Sequence, residues 1–317
     1  MKRLLLLALV VSVCSGIAHA QQTRLSISTG GTGGVWYPMG GAMANVLSKS
    51  LPNTAATAEV TGGSVDNIKL IATGRSDIGF SMVDTAWEAA TGAGKFKEKV
   101  SMRTLAVVHP LVMHVVTLDG RGIEKMADLK GKRVSTGSPG SGTEVMAIRI
   151  LEAYGIHYTK DIRQERLSVA EAASALKDRK IDAFLHAAGV PLPAVTDVAA
   201  TPGIRVKLID HADAVEHMAR KYGPIYARGR IPAKTYAGQE RDASTANVWG
   251  VLYVNETMSE KLAYDVVKTL FEKQADLVIA HRESANMTLE NQTIGASPVP
   301  WHPGALRFFS EKGVAAR

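Results

Sequence analysis

Gly30, Gly31, Gly33 and Gly34 surround Thr32 and are followed at once by the pair Trp36-Tyr37. Glycine permits positive φ and lets a ligand come close to the main chain. Ahead of these glycines, Arg24-Leu25-Ser26-Ile27-Ser28 alternates apolar and polar residues, as a strand does. Behind them, Ala42 to Lys49 reads as a helix with a face of small residues. A helix start directs unpaired N–H groups and partial positive charge back at the strand tip, and so attracts anions. The chemistry this stretch suggests is anion capture. Gly31, Thr32 and Val35 would form the loop, with Trp36 and Tyr37 as its walls.

Two more stretches share that composition. Thr61-Gly62-Gly63-Ser64 ends a strand over Thr57–Val60, and Ser64 reads as the N-cap of a helix from Val65 to Thr73 that Gly74 closes. Gly137-Ser138-Pro139-Gly140-Ser141-Gly142-Thr143-Glu144 follows a strand over Lys132–Thr136 and opens a helix from Val145 to Tyr154, which Gly155 ends. Gly63, Ser64 and Ser81 would then face a solute from one half of the chain. Ser138, Ser141, Gly142, Thr143 and His186 would face it from the other. Ser141 and Thr143 also suit plain helix caps, a reading that needs no ligand.

Enzyme signatures do not assemble. Gly137 and Gly142 have the spacing of a phosphate loop, but Thr143 stands where its lysine belongs. The glycines at 30–34 miss the dinucleotide pattern, because Trp36 takes the third glycine position. Neither a Gly-x-Ser-x-Gly elbow nor a His-Glu-x-x-His pair occurs. Asp210, His211, Asp213 and His217 have helical ligand spacing, but a solvated helix face accounts for them better than a metal. His109, His114 and His186 fall at expected strand ends, where each is either structural or a ligand contact. No metal and no cofactor is expected.

The elements that would position these residues alternate. Asp77–Val83 is a third strand, with Asp84 capping a helix from Thr85 to Ala90. Strand, glycine or hydroxyl tip and helix, recurring in order, make a parallel α/β unit with its crevice at the strand C-termini. Met102–Pro110 and Met113–Leu118 read as a fourth and a fifth strand, with Pro110 breaking the ladder between them. A helix at Val169–Lys180, a strand at Ile181–Leu185, a tip at His186–Pro191 and a strand at Arg205–Ile209 build a second half. A helical His211–Tyr222 and a loop or edge at Ile231–Tyr236 follow. Val248–Val254 carries the chain back, before helices at Ser259–Gln274, Asp276–His281 and Ala305–Lys312. Two crossings, near His109–Val115 and Asn247–Val254, would join the halves and serve as a hinge.

Lys2-Arg3, the short apolar run Leu4–Val13 and Ala18-His19-Ala20 read as a cleaved signal peptide over residues 1–20. Loss of that leader removes the only cysteine, Cys14, and with it any disulfide. The formal charge of +7 includes Lys2 and Arg3, so the exported chain carries +5. That excess is spread without a basic run, which argues against nucleic acid.

Together these motifs resemble the TAXI-type solute receptors of TRAP transporters. The resemblance runs through Ser28–Pro38, Thr61–Asn67, Asp128–Val134, Gly137–Glu144, Ile181–Phe184 with Ala188–Pro191, and His302–Ala305. It implies a two-lobed type II periplasmic-binding-protein fold, each lobe a mostly parallel sheet flanked by helices and joined by two crossover strands. Residues 21–112 and 250–317 would form lobe I and residues 113–249 lobe II. It implies a periplasmic monomer, not an enzyme, that captures a dicarboxylate such as glutamate or 2-oxoglutarate and passes it to a TRAP permease. An exported module reporting the same solute to a membrane sensor is the alternative. Two positions depart from the family: Trp36 stands where tyrosine is usual, and Tyr222-Gly223-Pro224-Ile225-Tyr226 lengthens a tyrosine-proline-phenylalanine-tyrosine segment.

Overall fold

The computed structural model describes residues 22–293 and 297–314. The expected leader and Cys14 lie outside the described residues. β1 (Thr23–Ser28) turns through the glycines into α1 (Trp36–Ser50), and β2 (Thr54–Glu59), α2 (Ser64–Ala72), β3 (Ile78–Met82) and α3 (Val83–Thr91) follow. β2 and β3 both run parallel to β1, so this first wing is built of βαβ units. β4 (Met102–Leu118) then leaves it. β5 (Arg133–Ser135), α4 (Gly142–Ala153), β6 (Arg163–Glu165), α5 (Val169–Lys177) and β7 (Ala183–Ala188) repeat the scheme, with β6 and β7 parallel to β5. α6 (Pro193–Ala199), β8 (Val206–Leu208), α7 (Ala214–Tyr222) and β9 (Ala227–Ile231) complete the second wing. β10 (Ala243–Asn255) returns to the first, against which α8 (Glu260–Glu272), α9 (Gln274–Ala280) and α10 (Pro303–Glu311) pack.

The strands form one sheet in the order β2-β1-β3-β10-β4-β7-β5-β6, with β8 on β4 and β9 on β10. β4 and β10 are its spine. β4 pairs with β10 from Met102 to Val112 and with β7 from Val112 to Thr117. β10 pairs with β9 from Ala243 to Asn247 and with β3 from Gly250 to Val254. The expected lobe boundaries at 112 and 250 therefore fall inside the two spine strands. Helices bury one face against the sheet: α1 through Met39, Met43, Val46 and Leu47, α8 through Ala263, Val266, Val267 and Leu270.

Several expected boundaries shift for identifiable reasons. The fourth and fifth strands are one, because Pro110 sits beside a bulge between Gly250 and Val251 where β7 has not begun to pair. Its missing N–H costs the ladder little there. α1 begins at Trp36 rather than Ala42, since a proline in the first turn, here Pro38, gives up only an N–H without a helical partner. Ser64 is not the N-cap of α2; Gly63 takes that place at φ +116° while the Ser64 hydroxyl accepts a hydrogen bond from the Met82 amide. β6, α6 and β9 carry little signal. β6 is a charged triplet, α6 is short, and β9 (Ala227-Arg228-Gly229-Arg230-Ile231) is an edge protected by arginines.

Asp84 does not cap α3. It lies fully buried in the first turn and joins a polar cluster across the two wings. Arg149 of α4 reaches Asp84 Oδ2 at 3.4 Å, bonds the Glu88 carboxylate, and donates to the Tyr226 hydroxyl at 2.5 Å. Tyr226 in turn donates to Asp84 Oδ2 at 2.8 Å, and the guanidinium lies 4.2 Å over the Tyr222 ring. Burial opposes the charge on Arg149, but Asp84, Tyr226 and Glu88 outweigh it and hold its pKa above the ordinary value. Removing one member of such a pair strands the others in low dielectric. Arg149→Met is expected to cost about 3–5 kcal/mol in a urea unfolding curve, and the loss should shrink when Glu88→Gln is added. Additive losses in the double variant would show that the cluster is not coupled.

Candidate functional site

The carboxyl ends of the parallel strands meet between the wings, and a cavity of about 50 Å³ lies there. It takes in Gly30, Gly31 and Gly34 from the first loop, Gly62 and Gly63 before α2, and Met82 at the end of β3. From the second wing come Ser138, Ser141, Gly142, Thr143, Ser168 and Val169, with His186, Ala187 and Ala188 of β7. Val35, Trp36, Ser64 and Leu111 complete the lining. The starts of α1, α2, α4 and α5 thus converge on one small space. Among the described lining residues there is no aspartate, glutamate, lysine or arginine.

The hydroxyls are hung on neighbouring main chain. Ser64 accepts from the Met82 amide at 3.1 Å and Thr143 from the Ala187 amide at 3.3 Å. Each wing therefore fixes a helix-start hydroxyl by the end of its adjacent strand and leaves that hydroxyl's own hydrogen to donate. Ser141 differs: it accepts from Glu144 N at 3.0 Å and donates to Ser138 O at 2.7 Å, so it is a true cap. Ser168 is likewise committed, in a capping box with Glu171.

The wings touch at the same place. The Val65 and Asp66 amides both donate to the Gly140 carbonyl at 3.1 Å, and Ser138 Oγ donates to Gly62 O at 3.4 Å. A Cβ on Gly142 would stand 2.5 Å from Ser64 Oγ and 2.6 Å from Met82 Sδ, so only glycine permits this approach. These two α2 amides are thus occupied by the opposite wing.

Of the residues expected at the site, Gly31, Val35, Trp36, Gly63, Ser64, Ser138, Ser141, Gly142, Thr143 and His186 line the cavity. Thr32 and Tyr37 do not: both are exposed, since α1 starts at Trp36 and carries Tyr37 on its outer side. Ser81 is buried within β3 and donates to its neighbour's carbonyl, Met82 O, because alternation along the strand turns it away. Ser168 went unnoticed although Ser168-Val169-Ala170-Glu171 is a capping-box signature. Met82 and Leu111 carried no signal beyond being apolar strand residues.

The histidines are not at strand ends. His109 and His114 are fully buried within β4, and His186 lies inside β7, opposite His114, because the β4–β7 ladder extends that strand to Ala188. His109 Nε2 accepts from the Trp36 indole N–H at 3.2 Å, so its Nδ1 carries the proton and donates to Pro110 O at 2.8 Å. His114 is held between Val112 O and the Tyr236 hydroxyl. Burial, only partly countered by the Pro110 carbonyl, lowers the His109 pKa to about 4. Burial and then the charge of His114 lower that of His186 to about 3. His186 is the one lining side chain that can titrate, and it is neutral at ordinary pH. His211, expected on a solvated face, is buried, with Nδ1 at Ile209 O. Asp210 and Asp213 are paired instead with Arg241 and Arg228.

The profile of the NMT1-like family matches residues 27–313. The chain belongs to the NMT1-like family. Among solved structures, a Bordetella bronchiseptica RB50 protein is similar at 16% identity, covering 91% of this chain and 89% of its own, with a TM-score of 0.52. A Xanthomonas citri protein bound to ATP is similar at 11% identity, over 92% and 97% of the two chains, TM-score 0.51. A putative L-cystine ABC transporter protein from Listeria monocytogenes is similar at 16% identity, over 84% and 95%, TM-score 0.50. At such identities the likeness is one of fold. This NMT1-like chain has an α/β fold, one mixed sheet with flanking helices, and shares it with those structures.

The buried imidazoles fix a pH dependence. Burial also lowers the pKa values of His114 and His211 to about 4. Unfolded chains bind these protons near pH 6.5, whereas the folded chain refuses them until about pH 4. Stability is therefore complete above pH 6.5 and falls as pH drops towards 4, by roughly 1.4 kcal/mol per imidazole per pH unit at most. Urea midpoints measured across that window should decline, and His211→Gln should flatten the slope by roughly a quarter to a third. A slope unchanged by His211→Gln would show that His211 does not contribute.

Proposed function

We propose that this protein is an extracytoplasmic receptor that captures a small organic acid between its lobes and delivers it to a membrane permease. The observation that carries the reading is the convergence of helix starts from both wings on one cavity without charged side chains. Such starts supply partial positive charge and N–H donors, which suit a carboxylate. Among the described residues, no lining hydroxyl is hydrogen-bonded to a histidine, and His109 and His114 are spent on structural bonds. The cavity therefore offers binding groups rather than a nucleophile with its base.

Residues 21–112 with 250–317, and residues 113–249, are the two lobes in this reading. The paired β4 and β10 are the hinge. The cavity lies where the two wings meet, so a solute held there touches both, and binding favours the closed arrangement in this reading. The signal-like leader supports a periplasmic location, and among the described residues no helix is long and apolar enough to cross a membrane. The motif resemblance makes the acceptor a cation-coupled TRAP permease and the solute class organic acids, dicarboxylates included.

Calorimetry and thermal melts with a panel of organic acids, sugars and amines test the reading. Acids should raise the melting temperature, and small-angle scattering should show a monomer whose radius of gyration falls on saturation. Stabilisation by sugars or amines alone would remove the anion-receptor assignment. Ser64→Ala and Thr143→Val delete the two uncommitted donors, and each should weaken binding by about 1–3 kcal/mol. Ser141→Ala should cost about 1 kcal/mol of folding stability, with a smaller effect on affinity.

A further inference from the structure

The cavity has a floor unlike its walls. Its walls are helix starts with hydroxyls, interleaved with Met82, Val169, Ala187 and Ala188, but where the spine strands back it the floor is carbon alone, from Trp36 and Leu111. A Cβ placed on Gly250 would lie 2.5 Å from Leu111 Cδ1 and 3.5 Å from Trp36 Cζ2, which shows how closely β10 backs the pair. The indole stacks on Phe80 with ring centroids 5.4 Å apart. Its only polar atom, Nε1, is bonded to His109 within the spine, and His109 is fixed in turn by the Pro110 carbonyl. The tryptophan consequently shows the cavity carbon alone.

The means of holding negative charge are also limited. No charged side chain is among the described lining residues, and His186 is neutral. Two of the α2 amides are already taken by Gly140. What remains for a carboxylate, the other helix starts with the Ser64 and Thr143 hydroxyls, lies on the walls; a carboxylate placed on the floor would be desolvated and without a partner.

From this segregation we infer that the solute is a small monocarboxylate with a hydrocarbon body, seated on Trp36 and Leu111, and that His109 is the positioning residue that keeps the indole N–H out of the cavity. The inference rests on the receptor reading above and narrows it. Dicarboxylates and polar amino acids are then poor ligands.

Titration calorimetry with isovalerate and 3-methyl-2-oxobutanoate, set against glutamate, 2-oxoglutarate, 3-methylbutanol and isopentylamine, separates the two levels. The branched monocarboxylates should bind, and the dicarboxylates at least about tenfold more weakly. Glutamate or 2-oxoglutarate binding as tightly would overturn the inference and leave the receptor reading intact. Binding of only the alcohol or the amine, or of none of the six, would overturn both. The positioning role has its own readout in the Trp36 indole N–H resonance of ¹⁵N-labelled protein, assigned with Trp36→Phe. His109→Leu should move that resonance towards the value of a free indole and weaken isovalerate binding about tenfold. His109→Gln, which keeps an acceptor, should restore most of both. A Trp36 resonance unmoved by His109→Leu would refute the role assigned to His109.

Discussion

The pairing of β4 with β10 is the constraint on which the rest of the molecule depends. These strands, 17 and 13 residues long, are the ones that belong to both wings. Each wing hangs its parallel units from one end of the pair, so the strand tips of the two wings point at each other. The bulge beside Pro110 is where the pair loosens, and His109, Leu111 and Gly250 lie there, directly under the cavity. The residues proposed as the hinge are also those of the floor. A change in the twist of the spine therefore reaches Trp36 through one hydrogen bond to His109.

Charge is distributed with a clear division. Among the described residues the cavity lining has none, while the space around it has ion pairs with at least one buried partner. Arg149 with Asp84 and Glu88 ties α4 to α3, and the nearly buried Glu144 at the start of α4 draws in Lys95 and Arg166. The Arg149 cluster and Lys95 join the wings, Arg166 stays within its own, and Arg149, Asp84, Glu88 and Glu144 are the members that cannot be left unpaired at low cost. The cavity itself is polarised by main-chain dipoles, which are fixed and need no reorganisation. Contact between the wings thus relies on side-chain charge at the periphery and on backbone groups at the centre.

The repeated grammar of strand, glycine or hydroxyl tip and helix was readable because each part has a local cause. Alternation marks β1, glycine marks the loops, and a capping hydroxyl at Ser141 marks the start of α4. Most of the cavity followed from those tips alone. The misplacements share one origin, which is that they depend on partners distant in sequence. Ser64 looks like a cap until Met82 N claims its hydroxyl, and Asp84 does so until Arg149 arrives from the other wing. Pro110 looks like a break until the bulge opposite it is seen. Met82 and Leu111 are indistinguishable from core residues, since only the tertiary arrangement turns them towards the cavity.

A site whose polarity belongs to the backbone has an evolutionary corollary. Substitution cannot delete a helix start as it can delete an arginine, so the electrostatic character of this cavity is inherited with the fold. What drift can alter is the contour: Met82, Leu111 and Ala187 are single positions whose exchange would redraw the space while the four helix starts stay in place. Under the proposed function, descendants of such a chain can change occupants by small steps while the helix starts keep their preference for negative charge. The architecture is thereby a stable platform for diversification, conservative in charge and permissive in shape.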